Sequence, residues 1–578
     1  MTDAPPFRRR LRAAQDARFL LLAALAAVIL MYLARSMTFW QDEWGAITFS
    51  GGPLDFIRPV NEHWSTIPLL MYRATFGIVG LHSYLPYIAQ VIALHLLAVA
   101  AAYVLVRARG GPTVATLACI PLLLLGSGSE NLFWAFQTGF VGSVAFGLWA
   151  LVLIERPGRA AGVCASLLLI ASLMSSGMGL FFLVAAFGRT ILDPEIRWRV
   201  AAVVPPTIVY LAWYVTVGHE PVTTAGHLAG LTAVPGFVLR GIGHAIGAFT
   251  GLELLPRGDL LAFALFGFAV LATAWAAVTS RRPPALAAGS LLAIVAMYAV
   301  IGLVRAQLES DFATRSRYVY VAAFLLVIAV VDWLPRLRDR ADQRQPGRLV
   351  LVAVLLAILV ATTVANIAAF GPIRGRFQSN ADLTRAYIGL ALAHKGETWI
   401  DPQSVLPEMP PLPELIATVE RYGSPLRDDL IPAVATDPAA RAREAALLRM
   451  VGSGFRAEAG IAVNAASAPR ELQVTELADA TATWEGGCLS LADARGSAAV
   501  SAKVETGTRL RIEAPAGLVG RAILGLALPP SRPIDIHVLA GAPLDVVVPD
   551  VGDGSIWTVR VEIPNAAGTV RICRIDSP

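Results

Sequence analysis

Charge is what this sequence has least of. Asp, Glu, Lys and Arg make up 15% of its 578 residues, against 56% that are hydrophobic. A soluble globular domain carries about a quarter charged residues, so the composition excludes a wholly soluble chain and indicates an integral membrane protein. Lysine is almost missing: Lys395 and Lys503 are its two occurrences, and every other basic side chain is an arginine. With so much Ala, Gly, Val and Pro, that reads as the codon usage of a GC-rich, bacterial genome and says nothing of mechanism. The net charge of +5 does not indicate a nucleic-acid partner. The arginines lie in short clusters between apolar segments, which is how membrane topology is encoded. Cysteine is scarce as well. Cys119 and Cys164 fall in apolar segments and read as small packing residues. Cys488 (WEGGCLSL) and Cys573 (VRICRI) fall in strand-like runs near the end of the chain. They form either a disulfide, if that part is exported, or two reduced buried thiols. Internal repeats and long low-complexity tracts are absent. No small-residue cleavage site follows the first apolar run, so that run is a span and not a removed signal peptide.

What is there begins with apolar runs near 18–37, 84–106, 113–128, 139–154, 200–217, 260–279, 285–304, 318–334 and 349–370. The stretch 160–188 is interrupted by SSGMG at 175–179 and reads as two short helices around a turn. That predicts about eleven spans of the length a bilayer requires. The arginine clusters at 8–12, 107–111, 155–159, 189–199, 280–284 and 335–348 fall on alternate connections. By the positive-inside rule these are cytoplasmic. The connections at 38–84, 126–140, the SSGMG turn, 218–259 and 305–317 are then outside, as is everything after Gly371.

The predicted organisation is a cytoplasmic tail (1–17), a polytopic helical membrane domain (18–370), an extracytoplasmic mixed region (371–470) and an extracytoplasmic β-sandwich (471–578). In the mixed region, SNADLTRAYIGLALAHKG suggests a helix capped by Ser379 or Asn380 and followed by Gly396. AARAREAALLRM suggests another. Beyond Glu471, short alternating runs such as TRLRIEA, IDIHVL and IWTVRVEI, punctuated by Pro, Gly and Asp, predict antiparallel strands.

The first outer connection carries the chemistry. FWQDEW presents Asp42 and Glu43 just beyond the first span, and VNEHWS adds Glu62 and His63. The segment after it reads as a surface-lying amphipathic element with Trp64 and Tyr72 at the membrane interface. This arrangement resembles the GT-C class of polytopic membrane glycosyltransferases, in which an acidic pair opens the first outer loop and a polyprenyl-phosphate sugar is the usual donor. The matching residues are Asp42 and Glu43, and the resemblance covers the chain to about Phe370. The outer β-domain is reminiscent of appendages on actinobacterial cell-wall glycosyltransferases. The resemblance leaves metal use open: a divalent cation (Mg, Mn or Ca), if one is bound, would fall to Asp42 and Glu43.

Physical reasoning runs beside the resemblance. Transfer from a lipid phosphate needs an acceptor hydroxyl deprotonated as it attacks, which is work for a positioned carboxylate. It also needs donors around the departing phosphate. Asp42 is expected as the base and Glu43 as a metal ligand or orienting residue, or the reverse; a solvated loop acid is the plain alternative. Neighbouring side chains diverge in a helix or a strand, so the two need not share a pocket. Arg315 and Arg317, with Arg305 as a third, stand at head-group depth against the positive-inside trend and suit phosphate oxygens. Asp311 and Glu309 read as ion-pair partners for Arg315 or Arg317. Glu62 and His63 either bind the acceptor or a cation or cap the surface element. Trp134, in the loop with Glu130 and Gln137, either stacks on sugar or belongs to an interfacial belt. His219, Glu220 and His227 lack metal-ligand spacing and receive no role.

The expected protein is a multi-pass, inverting glycosyltransferase of the bacterial inner membrane. It would move a sugar from a polyprenyl-phosphate donor to an envelope glycan or glycolipid acceptor on the outer face, among membrane lipids. The competing readings are a transporter or flippase for a lipid-linked saccharide and a non-catalytic scaffold with a glycan-binding β-domain. A transporter places charge mid-membrane at broken helices, whereas here polar residues gather at the rim.

Overall fold

A computed structural model describes residues 6–48, 52–219, 231–280, 282–306, 311–336, 345–397, 400, 406, 409–426, 442–443, 446, 450, 455–461, 469–492, 497–525, 532–550, 556–564 and 568–575. The chain forms two compact units. One comprises Met1–Phe39 and Phe49–Gln378; the other comprises Trp40–Thr48 and Ser379–Pro578.

Among the described residues, eight helices of the chain are long and apolar enough to cross a membrane: Ala14–Ala34, Leu85–Leu123, Ala135–Ile154, Arg197–Gly218, Gly258–Thr279, Ala285–Arg305, Ser316–Arg336 and Val352–Ala393. This is a multi-pass membrane protein. The 39-residue run Leu85–Leu123 is two helices meeting at Gly111, whose φ of 81° and following Pro112 break the ladder. Two shorter apolar helices, Arg159–Leu173 and Gly179–Ile191, flank the SSGMG turn as its residues predict. Helices here approach closely where glycines allow it. A Cβ on Gly188 would come within 2.7 Å of the Gly289 Cα, and one on Gly289 within 2.5 Å of the Ala185 carbonyl oxygen.

Alternate connections segregate to opposite ends of this unit. At the arginine-rich end, Arg107 makes two hydrogen bonds to Asp16, at 2.8 and 2.7 Å. Arg109 bridges Glu155 (3.1 Å) and Asp332 (3.2 Å). Arg189 reaches Glu155 and Asp193, each at 2.6 Å. At the other end, the Tyr84 hydroxyl accepts the Ala135 N–H, the Met174 carbonyl accepts the Ile67 N–H, and the Trp213 indole donates to the Ile57 carbonyl.

Two expectations are corrected. Ser379 and Asn380 do not cap a helix, because both lie inside one helix that runs Gln345–Ala393 through Pro372. The apolar span is already helical on their N-terminal side, so their backbone N–H groups have partners and no cap is needed. Gly396 does follow that helix, with φ 90°. Trp64 and Tyr72 are not interfacial anchors, since both rings are buried in the protein. The helix they flank, Thr66–Val79, is present. Most of AARAREAALLRM lies outside the described residues.

The second unit ends in a β-sandwich. Its strands are β3 (Arg456–Ala459), β4 (Gln473–Ala478), β5 (Thr481–Glu485), β6 (Cys488–Ala492), β7 (Ser497–Glu505), β8 (Arg509–Glu513), β9 (Leu518–Gly525), β10 (Arg532–Val538), β11 (Leu544–Val547), β12 (Ile556–Pro564) and β13 (Val570–Ile575). β1 (Pro59–Val60) and β2 (His63–Trp64) form a separate hairpin in the first unit. The sandwich sheets have the orders β10-β9-β12-β7-β4 and β3-β11-β8-β13-β6-β5, with every described pairing antiparallel. Alternate residues such as Val500, Ala502 and Val504 or Val559, Val561 and Ile563 face the core, beside a fully buried Trp557. Cys488 and Cys573 face each other across β6 and β13 and form a disulfide.

Candidate functional site

In the membrane unit the site starts from a hairpin. β1 (Pro59–Val60) pairs with β2 (His63–Trp64), and Asn61 and Glu62 make the turn with φ values of 49° and 69°. Two consecutive left-handed residues are the mark of a two-residue hairpin turn. The hairpin base is fixed by Trp64, which stacks on Trp213 with centroids 5.0 Å apart and donates its indole N–H to the Thr66 hydroxyl at 2.8 Å. The tip thereby presents the Glu62 Oε2 to the Arg305 Nη2 at 3.1 Å, where the helix Ala285–Arg305 ends.

Arg317 is positioned by a different loop. Asn366, alone in an apolar helical stretch and fully buried, uses its amide completely. Its Oδ1 accepts from the Ser127 N–H (3.2 Å) and hydroxyl (2.8 Å), and its Nδ2 donates to the Phe249 and Thr362 carbonyls. Ser316 in turn donates its hydroxyl to the Ser127 carbonyl at 2.8 Å and accepts the Glu130 N–H. That pins the start of the helix Ser316–Val330 against the loop. The Asn131 amide donates to the Arg317 carbonyl at 3.0 Å, and the buried Glu130 carboxylate lies 3.6 Å from the Arg317 Nε. Glu130 also accepts the Arg317 backbone N–H, an anion at a helix N-terminus.

Aromatic rings close the cluster. Phe312 carries two guanidinium groups, Arg315 at 5.1 Å and Arg305 at 5.9 Å from its centroid. His63 meets Phe140 edge to face at 5.8 Å, and Phe140 lies 6.4 Å from Tyr318. Gly177 of the SSGMG turn makes room for His63, because a Cβ there would come within 2.9 Å of its Nδ1. Burial pushes the His63 pKa down to about 4, helped by the charges of Arg305 and then Arg317. The imidazole is therefore neutral near pH 7, one donor and one acceptor among cations. The arrangement can bind an anion of modest size through guanidinium forks, with an uncharged hydrogen-bonding group beside them.

Asp42 and Glu43 belong to the other unit. Asp42 is half-buried, and its carbonyl accepts the Ala46 N–H. Glu43 is buried at the start of the short helix Glu43–Thr48, and its Oε2 accepts the Trp40 N–H at 2.7 Å. One Glu43 oxygen is taken by the backbone, and no group of three or more His, Cys, Asp or Glu among the described residues could hold a metal.

The structure thus brings together Arg305, Arg315, Arg317, Glu62 and His63. Neither Glu62 nor His63 caps Thr66–Val79, whose N-cap is Ser65. Trp134 is buried, its ring against Phe136 at 5.4 Å and Phe377 at 6.3 Å. The carboxylate partner of Arg317 is Glu130, reached from 187 residues away. Glu309, Glu220 and His227 lie outside the described residues. Sequence reasoning did not find Asn366, Ser127, Ser316 or Gly177. Of these only Asn366 carried a signal, a single amide in VANIAAF.

The sequence matches no protein-family model and no curated protein. Solved structures similar to the chain include the following three. The crystal structure of ArnT from Cupriavidus metallidurans bound to undecaprenyl phosphate has a TM-score of 0.42 at 14% identity, covering 75% of this chain and 88% of that one. The Archaeoglobus fulgidus oligosaccharyltransferase, in complex with Zn and sulfate, gives 0.37 at 13% identity over 65% of this chain and 55% of that one. The arabinofuranosyltransferase AftD from Mycobacteria gives 0.31 at 12% identity over 94% of this chain and 60% of that one.

Proposed function

We propose that this chain is a glycosyltransferase of the bacterial inner membrane. It moves a sugar from a polyprenyl-phosphate donor to an envelope glycan or glycolipid acceptor on the extracytoplasmic face. The observation that carries the reading is the cluster of three arginines, Arg305, Arg315 and Arg317, around Phe312, His63 and Glu130 at one end of a bundle of apolar spans. A phosphate borne on a lipid stands at that depth, and guanidinium forks match its oxygens. The opposite end carries the arginine-rich connections, which by the positive-inside rule is the cytoplasmic side.

The chemistry is a single displacement with inversion. An acceptor hydroxyl oxygen forms a bond to the anomeric carbon from the face opposite the phosphate. The bond from that carbon to the phosphate oxygen breaks, and polyprenyl phosphate leaves with the electron pair. Asp42 takes the hydroxyl proton and Glu43 holds the backbone of its turn. Arg315 and Arg317 stabilise the charge that grows on the leaving phosphate, with Arg305 assisting. The β-sandwich orients the glycan acceptor.

The test incubates the purified protein with a panel of polyprenyl-phosphate sugars and follows release of polyprenyl phosphate, beside Asp42→Asn. Turnover of one donor, lost in the variant, is expected. A protein that turns over none, or a variant as fast as the parent, ends the assignment.

A further inference from the structure

The hairpin tip holds a residue that its backbone disfavours. The second position of a turn with two positive φ values ordinarily takes glycine, and here it is Glu62, at φ 69°. A side chain kept in that region against its preference points to something the side chain does. Its carboxylate lies on Arg305 at 3.1 Å. That guanidinium shares the Phe312 ring with Arg315, so the turn delivers an anion into the cation cluster. Carboxylate and phosphate oxygens engage a guanidinium through the same fork of N–H donors, and one fork face cannot serve both. The pair is also open enough to exchange: the Glu62 side chain is 43% exposed and that of Arg305 31%.

We propose that Glu62 is a built-in competitor for the donor phosphate at Arg305. It holds the guanidinium in the donor-free protein and is displaced when lipid phosphate arrives. The inference rests on the proposed function, which assigns the donor phosphate to this cluster. Competition weakens every anion by the same factor. A ligand whose apolar chain also enters the bilayer still binds, whereas inorganic phosphate is held off. Glu62 therefore raises the affinity an anion needs to occupy the site, and the strained turn is what keeps its carboxylate in reach.

The experiment measures binding of polyprenyl phosphate, and separately of inorganic phosphate, to the full-length protein in detergent. The variants are Glu62→Gln, Arg305→Gln and the pair together. Gln keeps the size and the backbone demand but removes the charge. Glu62→Gln is expected to tighten both ligands by about twofold to fivefold, the range of a partly solvated ion pair. In the Arg305→Gln background the same substitution is expected to change nothing. An unchanged or weaker affinity in Glu62→Gln overturns the proposal, and so does an equal gain without Arg305, which would mean only a general charge effect. Should Glu62→Gln fold poorly, Glu62→Gly relieves the turn while removing the carboxylate and must show the same gain. The two readings fail separately. Donor turnover without a Glu62 effect sinks the competitor alone. An Arg305-dependent gain in a protein that turns over no donor sinks the transferase and leaves the competition standing.

Discussion

The two ends of the helical unit use the same side chains in opposite ways. At the arginine-rich end, carboxylates saturate the guanidinium groups: Glu155 serves both Arg109 and Arg189, and Asp332 serves Arg109 while accepting the Leu286 and Ala287 N–H groups. Contacts there are 2.6–3.2 Å for Arg109 and Arg189, and the Arg189 side chain is only 8% exposed. Burial opposes ionisation of Glu155, but Arg189 and Arg109 outweigh it and hold its carboxyl below the usual range. At the other end, the pairs Glu62–Arg305 and Glu130–Arg317 lie at 3.1 and 3.6 Å, and aromatic rings take part of the cation contact. Guanidinium groups that each reach two carboxylates, as Arg109 and Arg189 do, tie helices together. At the other end the cations also stand against aromatic faces, as Arg305 and Arg315 do on Phe312. On the proposed function, the difference separates a lock from a site.

The largest expected effect breaks the lock. Glu155→Ala leaves two guanidinium groups without their shared carboxylate, at a cost of about 3–5 kcal/mol. Thermal unfolding of the purified protein in detergent reads it as a large fall in midpoint. A fall no greater than that of a rim variant such as Arg305→Gln would erase the distinction between the ends. Next comes the site. Arg317→Gln is expected to slow sugar transfer by about a hundredfold to a thousandfold, the scale of losing one donor to a developing oxyanion, while barely moving the midpoint. The reverse pattern, full turnover in a destabilised protein, would make that end a second lock.

The smallest effect concerns His63. Its folded-state pKa of about 4 lies below the ordinary 6.5, so the unfolded chain binds a proton more readily than the folded one. Its contribution to stability is complete above pH 6.5 and is lost as pH falls from there towards 4. His63→Gln should remove that part of the acid limb. Unfolding midpoints measured from pH 7.5 to 4 test it: curves for the parent and the variant that run parallel would show that the ring is not held among cations.

Much of this was legible because it is written locally. A cluster of arginines between apolar runs is a local composition, and the ends of the helical unit sort as those clusters alternate. The SSGMG turn and the strands of the sandwich follow from residues close in the chain or from alternation along it, whereas the pairing of Cys488 with Cys573, 85 residues apart, was one of two alternatives until the sandwich brought them together. The helix at Ser379 was misjudged for the same reason. Its capping signal is local, and the span before it had already supplied the hydrogen bonds that a cap would replace. Glu62 was visible as an acid in the first loop, but its left-handed backbone and its tie to Arg305, 243 residues away, were not.

By itself the sequence determined that the chain crosses a membrane repeatedly and that a β-rich domain follows, because hydropathy and strand alternation act over a few residues at a time. Only the tertiary structure decided which acid meets which arginine, that Asn366 and Ser127 hold the start of the Ser316–Val330 helix, and that His63 stays neutral. Those depend on burial and on distances across the fold, where residues far apart in the chain set one another's charge and geometry.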